Sequence, residues 1–136
     1  MTSYEDAFRR GLAPQLSDRH LKVLARALRE DDYRLIQCAT TSPPPLWAVS
    51  GWPVEAACPI GYMGWIGDGL KTVAEVEDFF VRVCFEIDLA LGEPAACRFF
   101  LVPWDETPRA QARQELLELV EAEQQRRLET CRAAAS

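Results

Sequence analysis

The clearest hydrophobic pattern lies in the middle of the chain. Thr72 and Glu75 have the Thr-x-x-Glu spacing of a helix capping box, and Gly92 is a residue that readily ends a helix. Between them, apolar residues recur at helical spacing: Val73, Val76, Phe80, Val83, Cys84, Ile87 and Leu91. The pattern predicts a central apolar helix over residues 73-91.

A second apolar stripe runs along the same predicted helix. At about 100° per residue, Val81, Phe85 and Leu89 fall on one line, away from the first stripe. A helix with two apolar stripes needs cover on two sides. Since the chain has few other long helices, we expect that it does not cover this helix fully on its own.

Two helices are predicted before the central one. Ser3 and Asp6 have capping-box spacing, and the short helix that they begin is expected to end near residues 11–14. Ser17 is placed to cap a second helix that ends near residues 30–32. Its buried stripe is formed by Leu21, Leu24, Ala25 and Leu28.

A long C-terminal helix is predicted over residues 108-131. Thr107 is placed to cap it, and Pro108 suits its first position because that position needs no N–H donor. The apolar positions cluster in the first half of this helix. Residues 121-136 are therefore expected to project as a helix end and tail, into solvent or onto a partner.

The remaining segments are less regular. Residues 40-71 are rich in proline, glycine and tryptophan, which predicts a structured connector with one or two helical turns near residues 54–58. The short apolar runs 33-38 and 98-102 fit either helix or strand, with helix favoured for the second. The predicted fold is all-α: one domain, residues 1-136, with about five helices of unequal length around the central helix. The alternative is an α+β fold with short strands near 33-38 and 98-102.

Composition and charge exclude several classes of protein. The chain has 136 residues, 49% of them hydrophobic and 26% charged, which is typical of one globular domain. The net charge is −6, and residues 73–106 hold eight acids against Arg82 and Arg98. This acidic balance disfavours nucleic acid as a partner. The one feature that nucleic acid could use is a basic stripe on the second helix, formed by Arg19, Lys22, Arg26 and Arg29.

The sequence predicts a soluble, cytoplasmic protein. The first ten residues carry acids where a signal peptide needs cations, and no run approaches the roughly 20 apolar residues of a membrane span. The five cysteines are odd in number and widely spaced, which fits free thiols in a reducing compartment. Lysine occurs only at Lys22 and Lys71 while arginine is abundant, which points to a GC-rich coding sequence and a bacterial source.

Few residues carry the spacing of a chemical motif. His20 is the only histidine, and no two cysteines have C-x-x-C spacing, so we expect no metal and no cofactor. The glycines at 61, 64, 67 and 69 lack the phosphate-loop pattern. We assign no catalytic residue, and we interpret His20 as an edge residue beside the buried stripe of its helix.

The favoured hypothesis is a non-enzymatic interaction or accessory protein. It would self-associate or bind another protein through the C-terminal helix and the aromatic segment 46–66. Large aromatic side chains with a polar tip are common anchors of interfaces. The predicted partner-binding residues are Trp52, Trp65 and Leu128.

The alternative is a small-molecule-binding domain or a small enzyme. Its pocket would lie under the glycine- and aromatic-rich loop 61-69, with polar contacts from Tyr62, Asp68 and Cys97. Cys97 is the best candidate for a reactive thiol because it lies near the start of a possible helix, next to Arg98.

Overall fold

The computed structural model describes residues 1–135, and most of them are helical. The α-helices are α1 (Tyr4–Asp6), α2 (Asp18–Glu30), α3 (Pro59–Tyr62), α4 (Val73–Leu91), α5 (Val102–Glu106) and α6 (Arg109–Ala135). The strands β1 (Thr41–Ser42) and β2 (Ala56–Ala57) pair antiparallel as a two-stranded sheet. The predicted mostly helical fold is confirmed.

Helix α4 occupies the bounds that its pattern predicts. The Thr72 hydroxyl accepts from the Glu75 N–H at 3.2 Å, and the Glu75 carboxylate accepts from the Thr72 N–H at 3.1 Å. Gly92 ends the helix with φ of 69°, a left-handed conformation that glycine adopts without strain. One face is buried, through Val73, Val76, Phe79, Val83 and Ile87.

The N-terminal helical segment ends at Gln15, one residue beyond the predicted end near residues 11–14. After α1 the chain continues as a π-helical segment, Ala7–Leu12, and a 3-10 turn, Ala13–Gln15. This segment buries Phe8 and Leu12 against α4. Gly11 permits the close approach, because a Cβ there would lie 2.8 Å from Cγ2 of Ile87.

Helix α6 packs along α2. Ala112, Leu116 and Val120 are its buried apolar residues, and the Arg113 side chain donates to the Leu28 carbonyl at 2.8 Å. The helix begins one residue later than predicted and extends to Ala135. The hydroxyl of Thr107 donates to the Pro103 carbonyl at 2.6 Å and thus bonds to the end of α5.

The end of α6 stays attached to the protein for longer than we predicted. Glu123 is buried and forms ion pairs with Arg126 and Arg127. Arg127 also donates to the Asp18 carboxylate and to the Ala13 carbonyl, both at 2.9 Å. These polar contacts hold the helix where apolar residues are scarce, so it is continuously exposed only from residue 128 onward.

Neither of the runs 33-38 and 98-102 forms a strand, and the helix favoured for the second run is confirmed. Residues 33-38 form a turn with a single bridge between Leu35 and Ala57, whereas 98-102 lie in a π-helical segment, Ala96–Leu101, that runs into α5. Both runs are too short for periodicity to decide their structure. The strands lie instead within residues 40-71.

Two local predictions within residues 40-71 also fail. Residues 54–58 are extended rather than helical, since they contain β2. Residues 59–67 are helical rather than a loop, because α3 is followed by a π-helical turn, Met63–Gly67. Cys58 caps α3 and Pro59 takes its first position, while Ile60 and Met63 are buried in the core. No helix within residues 1–135 is both long and apolar enough to cross a membrane.

Candidate functional site

The second apolar stripe of α4 lies on the protein surface. Val81, Phe85 and Leu89 are 60%, 59% and 60% exposed, whereas the opposite face of the same helix is buried in the core. Ala74 and Asp78, on the same side of the helix, are exposed as well. We call Val81, Phe85 and Leu89 the α4 stripe.

Charged residues flank the α4 stripe. Arg82 and Glu86 lie on one flank, and neither side chain makes a hydrogen bond or ion pair with any residue in 1–135. Asp88 lies on the other flank, where one of its carboxylate oxygens accepts from the Ala96 N–H at 2.8 Å. An apolar line is therefore bordered by an unpaired cation and an unpaired anion on the same side.

Exposed aromatic residues lie at the N-terminal end of α4. The aromatic loop, residues 46–52, exposes Leu46, Trp47 and Trp52, with Trp47 exposed most, at 91%. Main-chain hydrogen bonds of 2.9 Å from the first turn of α4 to Ser50 and Trp52 attach this loop to the helix. Trp52 is thus at the surface, as expected of a partner-binding residue.

The Trp65 side chain instead contacts other residues of its own chain. Its ring packs edge-on against Tyr62, with centroids 6.1 Å apart, and the Arg34 guanidinium lies 5.5 Å above its centroid. The guanidinium also forms two hydrogen bonds to the Asp32 carboxylate, at 3.1 and 2.8 Å. The Tyr62 hydroxyl donates to the same carboxylate at 3.0 Å. These four residues form one network, which we call the Asp32 network.

Hydrogen bonding and burial fix the protonation states in the Asp32 network. The hydrogen bonds from Arg34 lower the pKa of Asp32 to about 2. Burial, and then the hydrogen bond to Asp32, raises the pKa of Tyr62 to about 12. At neutral pH, Asp32 is therefore a carboxylate and Tyr62 a hydrogen-bond donor.

A cleft of about 410 Å³ lies between α2 and the Asp32 network, and Tyr62 is one of its lining residues. Three cations of α2, Arg19, Lys22 and Arg26, line it together with Arg34. The Lys22 side chain makes no hydrogen bond or ion pair with any residue that the structure describes. The cleft is therefore bordered by more cations than its two acids, Glu30 and Asp32, can balance.

The basic stripe predicted on α2 is divided between two surfaces. Arg29 forms an ion pair with Glu121 of α6 at 2.9 Å, away from the cleft. Arg26 contacts Glu30 at 3.4 Å, and Arg19 donates to the Gly67 carbonyl at 2.8 Å. The four cations consequently do not present one free surface to a nucleic acid.

Asp68 is paired with His20. Its carboxylate lies 2.7 Å from Nε2 of the imidazole, and Nδ1 accepts from the Ser17 N–H at 3.1 Å. Since Nδ1 is an acceptor, the ring carries its proton on Nε2 and donates it to Asp68. No hydroxyl or thiol among residues 1–135 hydrogen-bonds to either ring nitrogen. The pair therefore attaches residue 68 to α2. Within residues 1–135 it has no nucleophile beside it, which a catalytic dyad requires.

The other predicted site residues lie apart from the cleft. Cys97 is an exposed thiol in the segment that packs on α4, and it is not a lining residue of the cleft. Leu128 lines a separate groove of about 490 Å³ between α2 and α6. Burial raises the pKa of both Cys58 and Cys84 to about 12, so these thiols stay protonated. Among the six predicted site residues, Tyr62 and Trp65 are in direct contact through their rings.

The Asp32 network is the feature that sequence reasoning missed. Asp32 and Arg34 are close in sequence, but the contact with Tyr62 spans 30 positions, and no spacing rule connects them. The one local signal of this network in the sequence is the run Asp31-Asp32-Tyr33-Arg34, which places an acid and a cation two positions apart.

Neither a search for metal ligands nor comparison with known proteins identifies a further site. Within residues 1–135, no group of three or more His, Cys, Asp or Glu side chains is placed to hold a metal ion. Comparison of the chain with protein-family models, curated proteins and solved structures found no match.

Proposed function

We propose that the protein is a non-enzymatic interaction or accessory protein whose contact surface is the α4 stripe, extended by the aromatic loop. The observation that carries the proposal is the exposure of Val81, Phe85 and Leu89, each at about 60%. Each apolar side chain taken out of water stabilises a complex by roughly 25 cal/mol per Å² of buried area. Contiguous exposed apolar surface is typical of sites that bind another protein.

The residue types of this surface support the same function. Phe85, Trp47 and Trp52 are exposed aromatic residues. Aromatic residues are enriched in protein interfaces, where a few large side chains contribute most of the binding energy. We propose Trp52 as a partner-binding residue because its side chain is 55% exposed. Trp65 is instead engaged by Tyr62 and Arg34, and Leu128 lies in its own groove, so neither belongs to the proposed surface.

The setting that we propose is the cytoplasm, as a soluble protein. All five cysteines are free thiols, which is compatible with a reducing compartment. Protein, including a second copy of the chain, is the proposed partner class. Nucleic acid is not proposed, because Arg29 and Arg26 of the basic stripe already contact acids.

Native mass spectrometry of the protein taken gently from its own host tests this function. The variant Val81→Ser/Phe85→Ser/Leu89→Ser should lose the complexes that the wild type retains. Leu128→Ser is the matched control, because Leu128 is similarly exposed, at 53%, but lies outside the surface. If the triple variant keeps every complex of the wild type, the proposed contact surface is wrong.

A second candidate function is binding of a small anion in the cleft beside Tyr62. The observation that favours it is Lys22, a cation with no partner within residues 1–135, on a cleft of about 410 Å³. Clefts with a few convergent polar groups are common ligand sites. We expect inorganic pyrophosphate or citrate to raise the melting temperature of the wild type, and Lys22→Gln to abolish the rise. Lys71→Gln, outside the cleft, is the control, and an equal rise in both variants would rule out this site.

A further inference from the structure

We infer that the partner of the α4 stripe is a second copy of this chain, with the two α4 helices antiparallel about a two-fold axis at Phe85. The inference rests on the proposed function, since it names the partner for the same surface. Its support comes from the spacing of the apolar residues and from the charges on their flank.

The α4 stripe is symmetric along the helix. Val81 lies four residues before Phe85, and Leu89 lies four residues after it. In an antiparallel pair centred on Phe85, the two Phe85 rings meet at the axis, and Val81 of each copy is level with Leu89 of the other. At about 100° per residue, the two side chains lie 40° to either side of Phe85. A two-fold interface uses the same patch on both subunits, so a patch must complement itself under this operation. The α4 stripe meets that condition with apolar residues at all three levels.

The flanking charges complement each other in the same arrangement. With about 100° per residue, Arg82 and Glu86 lie on one side of the line through Phe85, roughly 60° and 100° from it. An antiparallel two-fold pair brings like flanks together, so Arg82 of each copy approaches Glu86 of the other. Along the helix axis, Arg82 of one copy and Glu86 of the other are offset by two residues, about 3 Å. The pairing thus supplies a partner to two side chains that have none within residues 1–135.

A parallel pair lacks this match. Parallel packing would bring opposite flanks together and leave Arg82 away from Glu86. The one acid close to the centre of the face, Asp78, lies seven residues from Phe85 and in the antiparallel pair is opposite Gly92, which carries no charge. The antiparallel arrangement therefore adds two attractive Arg82–Glu86 contacts against one approach between the two Glu86 side chains, which have the same axial offset of about 3 Å but lie farther round the helix from the contact face.

The area of the contact indicates a dimer that forms reversibly. Standard interfaces bury roughly 800 Å² per partner, more than three side chains supply. Ala74, Asp78 and Arg82 are exposed beside the α4 stripe, so no element of the chain overhangs this face. We therefore expect a monomer–dimer equilibrium that shifts toward monomer on dilution.

Sedimentation equilibrium over a hundredfold range of concentration, with a charge exchange, tests the arrangement. Arg82→Glu and Glu86→Arg should each weaken the dimer at least tenfold, because each places like charges at both contacts. An equimolar mixture of the two variants should recover dimer, since every introduced charge then faces its opposite. Both residues are exposed and unpaired, and unchanged circular dichroism and melting temperature of each variant would verify that folding is intact.

The outcomes separate this inference from the proposed function. A wild type that stays monomeric at every concentration, but loses a complex with another protein in the triple serine variant, overturns the second copy as partner and leaves the interaction function standing. A dimer that the triple serine variant weakens, but that both charge variants form as the wild type does, overturns the antiparallel arrangement. A dimer that the triple serine variant does not weaken overturns both proposals.

Discussion

Asp32 is the side chain on which most polar contacts of the cleft converge. It accepts from the Arg34 guanidinium through both oxygens and from the Tyr62 hydroxyl. Tyr62 is buried, so its hydroxyl has exchanged water for this one acceptor. A hydrogen bond to a charged group contributes about 1.5–3 kcal/mol.

We expect Tyr62→Phe to lower the free energy of unfolding by about 1–2 kcal/mol, less than the full range because Arg34 still pairs with the carboxylate. Urea unfolding monitored by circular dichroism measures the change. Tyr33→Phe is the control, because the Tyr33 side chain is 84% exposed and should give no change. Equal stability of the two variants would contradict a stabilising contact between Tyr62 and Asp32.

The same network predicts a pH dependence. Arg34 lowers the pKa of Asp32 in the folded protein to about 2, whereas in an unfolded chain the pKa is about 3.9. The ionised carboxylate therefore stabilises the fold above about pH 4, and this contribution is lost as pH falls through about 2. The stability difference between wild type and Asp32→Asn should be constant from pH 7 to about 5 and shrink below about 4. A difference that is the same at pH 3 and pH 7 would exclude this linkage.

At the scale of elements, close packing between the Ala7–Leu12 segment and α4 depends on a missing side chain. A Cβ on Gly11 would lie 2.8 Å from Ile87, a fully buried residue that has little room to move. Crowding a packed core costs about 1–3 kcal/mol, whereas replacing glycine by alanine in a helix gains at most about 1 kcal/mol.

Gly11→Ala should therefore destabilise the protein despite the better helix propensity of alanine. Gly51→Ala is the matched control, because a Cβ there meets nothing within 4 Å. Thermal unfolding of both variants provides the comparison, with a lower melting temperature expected for Gly11→Ala alone. A Gly11→Ala variant as stable as the wild type would mean that the segment sits farther from α4 than the structure places it.

The elements differ in how much of them the sequence could predict. The bounds of α4 and the caps of the helices that begin at Ser3 and Ser17 follow from local chemistry. Periodicity predicts the exposed stripe of α4 and most of its buried face, although Phe79 is buried where the pattern predicts Phe80. Residues 59–67 could not be assigned, because three glycines within nine residues mask a helix whose burial comes from distant contacts. The end of α6 was misjudged for a related reason: Arg127 is held by Asp18 and Ala13, more than 100 positions away.

At the scale of the whole molecule, polar contacts attach the C-terminal part of α6 to residues near the N-terminus. Arg127 joins α6 to the start of α2 and to Ala13, while the helix is continuously exposed beyond it. Truncation after Leu128 should consequently leave the free energy of unfolding almost unchanged. Truncation after Ala122 should reduce it by about 1–2 kcal/mol, since it removes the hydrogen bonds of Glu123 and Arg127. Guanidinium unfolding of the two truncated chains measures both effects, and equal loss in both would contradict this account.

The candidate site was predicted in part at this scale. The amphipathic pattern of α4 indicates a face that the chain does not cover, and the sequence places the partner surface on the C-terminal helix and the aromatic segment 46–66. The ion pairs of Glu123, which attach the end of α6, involve long charged side chains whose pairing depends on tertiary contacts. Local periodicity therefore predicts the exposed stripe of α4, whereas the attachment of the end of α6 depends on tertiary contacts that periodicity does not report.

The open face of α4 has a consequence for how the protein responds to its own abundance. The self-pairing that we infer through Phe85 and the binding of any other molecule to the same residues would exclude each other, so they would compete by mass action. When copies are few, the face is available to others; once the concentration passes the dissociation constant of the pair, additional copies are stored with that face hidden. The supply of binding-competent monomer would then rise only with about the square root of total protein, which buffers it against fluctuations in synthesis.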